Sequence, residues 1–108
     1  MGSSEVLDRL NNLQQLYVGG FQNDFLDNVL EKVIEYQVAR DEADLQEIER
    51  SLAEYERRFG LSSTEFLKRF QAGELDDTAD FMEWNVLCTT RQRLTMRLKL
   101  LTSEGAHE

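Results

Sequence analysis

From Asn23 to Phe59 the chain contains neither glycine nor proline, and apolar residues return throughout at steps of three and four. Nothing in that span interrupts a hydrogen-bond ladder, and the period is helical, so it reads as one helix. At about 1.5 Å per residue it would run roughly 55 Å, more than a small compact monomer can cover. Its second half carries a heptad seam, with Leu45, Ile48, Leu52, Tyr55 and Phe59 separated by charged residues. That seam is the expected dimer contact. In the first half Phe25, Leu26, Val29, Leu30, Val33, Ile34 and Tyr36 form a wider apolar face rotated from the later one. Between the two, "QVARDEAD" offers only Val38 and two alanines, which leaves a kink or a solvated stretch open across residues 37–44.

The remaining segments are helical too. Residues 1–20 place Val6, Leu7, Leu10, Leu13, Leu16 and Tyr17 on one face, with Ser3 or Ser4 as the N-cap and a Gly19–Gly20 break at the end. Residues 62–72 open with "SSTEF", in which Ser62 caps the Glu65 amide, Glu65 reaches back to Ser62, and Leu61 staples onto Phe66. Gly73 suits a left-handed C′ position after that helix. Asp76, Asp77 or Thr78 then caps a last helix over 78–102, which is apolar on two sides and so needs two partners. The class is all-α: one domain over residues 1–108, an elongated helical hairpin or coiled coil with a long central helix, a short connecting helix and a C-terminal helix, forming a homodimer.

Charge narrows the functions. Twenty-one acids against twelve bases leave −9, which repels nucleic acid and anionic lipid and favours a basic protein partner. The basic residues of the last helix, Arg91, Arg93, Arg97 and Lys99, do not share a face and are better explained by packing against the acidic long helix. A lone cysteine, Cys88, forms no disulfide framework and no metal or redox pair. No membrane-length apolar run and no signal-peptide pattern appear, so the expectation is a cytoplasmic protein.

The richest chemical stretch is "RFQAGELDDTADFMEW", Arg69 to Trp84. Asp76, Asp80 and Glu83 share a helical face and could ligate Mg²⁺, with Asp44 and Glu47 as second-helix carboxylates, as in all-α nucleotide pyrophosphohydrolases. Caps and helix-dipole partners account for the same acids without a metal. The only histidine, His107, offers neither a di-iron ligand set nor a hydrolytic base. Cys88, on an apolar helix, reads as a packed hydrophobe. The residues therefore call for no enzyme, metal or cofactor.

The run from Phe59 to Leu98, preceded by "EIERSLAEYERRFG", resembles TumA-type antitoxins of bacterial and archaeal toxin–antitoxin modules, chiefly over Ser62–Phe70, Gly73–Asp77 and Asp80–Trp84. The family shows another aromatic where this chain has Cys88 to Thr90. The resemblance implies a non-enzymatic protein that neutralises a small ribonuclease toxin by direct contact. Partner contacts are then expected at Phe66, Phe70, Glu74, Leu75, Asp77, Asp80, Phe81 and Trp84. The alternative is a homodimeric coiled-coil adaptor whose acidity serves solubility.

Overall fold

A computed structural model of the protein describes residues 2–103, all of whose regular structure is helical: α1 (Ser3–Val18), α2 (Asp24–Phe59), α3 (Ser63–Gln71) and α4 (Ala79–Thr102). The α2 helix is unbroken over 36 residues, so the thin segment at 37–44 does not unwind. The described residues group into two compact units that divide within α2, at Val33 and Ile34.

Local rules set the helix ends. Asn23 Oδ1 accepts from the Leu26 amide at 2.8 Å, Ser62 Oγ from Glu65 at 3.1 Å, and Thr78 Oγ1 from Phe81 at 3.1 Å. Gly73 takes the positive φ expected of a C′ residue, Gly60 does the same after α2, and after Gly73 the Glu74 amide closes onto the Arg69 carbonyl at 3.0 Å. Two details differ from expectation. The first helix begins one residue early, so Gly2 is its N-cap and makes no side-chain cap bond, while Ser3 and Ser4 lie inside the first turn. The capping box of α3 is only half formed, because Glu65 accepts from Arg69 at 2.9 Å, and Glu56 of α2 supplies an extra cap by accepting from the Ser63 amide at 2.7 Å.

In the first unit, Tyr17 donates to Asp27 at 2.6 Å and meets Phe21 edge-on at 5.6 Å. Much of its apolar surface stays exposed, including Leu7, Leu10, Val18, Phe25 and Val29. In the second unit α4 runs antiparallel to α2, since Arg58 meets Asp80, Tyr55 meets Trp84, and Asp41 meets Arg97. The core is Leu52, Tyr55, Phe66, Trp84 and Cys88, with Ile48, Leu61, Leu67, Phe70, Leu75, Phe81 and Leu87 packed around it. Trp84 stacks flat on Phe66 with centroids 4.0 Å apart, and its indole N–H donates to the buried Ser63 hydroxyl at 2.9 Å. Three helices thereby converge on one side chain.

At the far end of this unit the carboxylate of Asp41, 1% exposed, accepts both Arg97 nitrogens at 2.7 and 2.8 Å and a third bond from Gln37 at 2.9 Å. The Arg97 hydrogen bonds outweigh burial and hold the Asp41 carboxyl below its ordinary range.

Ser63→Ala should leave the buried indole N–H without an acceptor and cost about 1–3 kcal/mol in urea unfolding followed by Trp84 fluorescence. Because the Asp41 carboxyl titrates lower folded than unfolded, its contribution is complete above the ordinary carboxyl range and is lost as pH falls through the folded value. Asp41→Asn should accordingly lower Tm at neutral pH and flatten the loss of Tm on acidification relative to wild type.

Candidate partner-binding site

The connection from α3 to α4 brings the expected contact residues together but gives them different environments. Phe66 and Trp84 are wholly enclosed and cannot be anchors for another protein: this is a correction, and its cause is that α2, α3 and α4 all pack on their stacked rings. Phe70, Leu75 and Phe81 are half-buried against that core. Phe59, 39% exposed, meets Phe81 edge-on at 5.1 Å, and the Arg58 guanidinium lies 5.0 Å above the Phe59 ring.

The acids also separate. Thr78 does the capping, so Asp76 and Asp77 are not needed for it. Together with Glu74 they are exposed, and among the described residues their carboxylates hold no hydrogen bond or ion pair. Asp80 is bound by Arg58 at 2.9 Å. Glu83 lies beside the Tyr55 hydroxyl, which burial first and the bond to Glu83 second push above the usual phenol range. The outcome is a surface of unengaged acids bordering half-buried aromatics.

The expected dimer seam is used within the chain. Leu52 and Tyr55 are buried against α3 and α4, Leu45 and Ile48 are half-buried, and only Phe59 at its end is appreciably open. The antiparallel return of α4 supplies the apolar face that a second copy would have provided. What remains open on α4 is the opposite side: Met82, Val86, Met96 and Leu100, all exposed, fall on one stripe turned about half a revolution from Trp84 and Leu94 at 100° per residue.

Among the described residues no three His, Cys, Asp or Glu side chains come together to hold a metal ion. Asp80 of the Asp76–Asp80–Glu83 triplet has a guanidinium where a cation would bind, and Glu47 is paired with Arg50. His107 lies outside the described residues. Cys88, 2% exposed, is a core residue whose thiol is pushed up chiefly by burial.

Asp41 and Ser63 are the structural residues that the periodicity left unremarked. Asp41 had a signal, because it lies four residues before Leu45 on the same heptad line, where an acid requires a partner. The Ser63 bond had none, since it depends on how α3 meets α4.

With the seam buried inside one chain, Leu52→Asp should cost about 3 kcal/mol or more, seen as a fall in Tm that does not depend on protein concentration. Comparison with protein-family models, with curated proteins and with solved structures finds no match to this chain.

Proposed function

We propose that the chain is a non-enzymatic binding protein that neutralises a small basic toxin, a ribonuclease, as the antitoxin of a toxin–antitoxin pair. The observation that carries this reading is the unengaged acidic surface at Glu74, Asp76 and Asp77 beside the half-buried Leu75 and Phe81. Carboxylates left free at a turn attract a cationic surface and raise the rate of encounter. A ribonuclease must present such a surface to RNA, and a helical protein seated on it blocks the substrate by charge and by bulk. Phe66 and Trp84 then act indirectly, by holding the surface in shape, and the contact falls to Phe70, Leu75, Phe81 and the acids around them.

A homodimeric adaptor is the second reading, favoured by the exposed α4 stripe of Met82, Val86, Met96 and Leu100. Light scattering at micromolar concentration distinguishes the two states, a dimer mass supporting self-association through this outer face.

The antitoxin reading is tested by coexpression with the product of the adjacent gene. That product should arrest growth alone and be rescued by this chain, with a complex recovered from the rescued cells. Glu74→Lys combined with Asp77→Lys should leave Tm unchanged but slow association roughly tenfold at low salt, an effect that added salt removes. A harmless neighbour, or rescue without a complex, ends the proposal.

A further inference from the structure

Most arginines of the second unit are tied to a carboxylate: Arg50 to Glu47, Arg57 to Glu54, Arg58 to Asp80, Arg69 to Glu65 and Arg97 to Asp41. Arg40, Lys68, Arg91, Arg93 and Lys99 have no such partner among the described residues, and of these the fold brings Lys68 and Arg91 to one cleft. Both line a cleft of about 330 Å³ between α3 and α4, with Thr64 and Gln71 from one helix, Gln92 from the other, and the buried Cys88 thiol. That volume lies at the small end of ligand-sized clefts, about 300–1,000 Å³. No acid lines it. Glu56 is the carboxylate nearby, and it is committed to the Ser63 amide at the start of α3. Arg91 lies close enough for its charge to act on Cys88.

Two cations and two carboxamides facing one small cleft are a combination that a solvated surface does not require. An ammonium and a planar guanidinium are the groups that hold oxyanions, while the carboxamides and the Thr64 hydroxyl can donate to or accept from a polar body. The chain as a whole repels anions, with a net charge of −9, so anion affinity must come from a local site.

We propose that the α3–α4 cleft is an oxyanion-binding site for a small molecule carrying a phosphate or carboxylate group. Lys68 and Arg91 hold the anion, and Thr64, Gln71 and Gln92 bond the remainder of the ligand. The site is separate from the acidic surface proposed for the toxin, and either can fail without the other.

The test is a titration of the full chain, followed by two-dimensional amide spectra, with sodium phosphate in one arm, sodium acetate in another, and sodium chloride at matched ionic strength as reference. Saturable shifts confined to residues 63–71 and 88–92 are expected with phosphate, acetate or both, and the arm that saturates assigns the anion. Lys68→Gln and Arg91→Gln should each weaken binding roughly tenfold with Tm unchanged, since each removes one charge-assisted contact. Arg93→Gln, on the same helix but outside the cleft, should bind as wild type. Shifts that match chloride, fail to saturate, or persist in the Lys68→Gln, Arg91→Gln double variant would overturn the proposal.

Discussion

The second unit depends on the enclosure of one indole. Trp84 has three separate demands: a flat partner for its face, an acceptor for its N–H, and enough apolar surroundings to exclude water. Phe66 supplies the first, Ser63 the second, and Tyr55, Leu52 and Cys88 much of the third. Phe66 and Ser63 are three residues apart on α3, so one short helix meets two demands with one face. This fixes where α3 can lie. Once it is seated, Gly73 turns the chain back and Thr78 restarts it, and α4 is committed to its antiparallel course along α2.

That course would still admit sliding if the seam were uniformly apolar. Asp41 removes the freedom. A carboxylate buried on the seam must have cationic hydrogen-bond donors, and Arg97 meets it with two nitrogens at a single register. Any shift along the helix axis would leave the acid desolvated and unpaired. The Trp84 cluster and the Asp41–Arg97 pair thus pin α4 near its two ends by different physics, one through packing and one through the penalty for an unmatched charge.

The helices and their ends were largely legible because the signals are local: Ser62 and Gly73 act on amides and carbonyls a few residues away. The two-sided apolarity of α4 was legible as well, and among the described residues one of its sides is filled while Met82, Val86, Met96 and Leu100 on the other stay exposed. The partner of each face was not legible. Leu45 to Phe59 is a heptad seam whether another copy or a returning helix covers it, and its periodicity is the same in both cases. Residues 66 and 84 looked like anchors because large aromatics serve interfaces and cores equally well; the difference lies in the angle at which α3 crosses, which no short-range pattern records. Asp41 was hidden by its charged neighbours, although its place on the heptad line marked it as a residue in need of a cation.

Charge is distributed over this fold by helix end and helix face, and that distribution separates three surfaces. Glu74, Asp76 and Asp77 stand without partners where α3 gives way to α4. Lys68 and Arg91, likewise unpaired, line the cleft between the two helices. The outer face of α4 carries Met82, Val86, Met96 and Leu100 with Arg93 among them and no acid after Glu83. Lys68 lines the cleft on α3, while Gly73, at positive φ, turns the chain so that Glu74, Asp76 and Asp77 follow beyond it. A protein of net charge −9 thus places two cations at one cleft that no acid lines among the described residues.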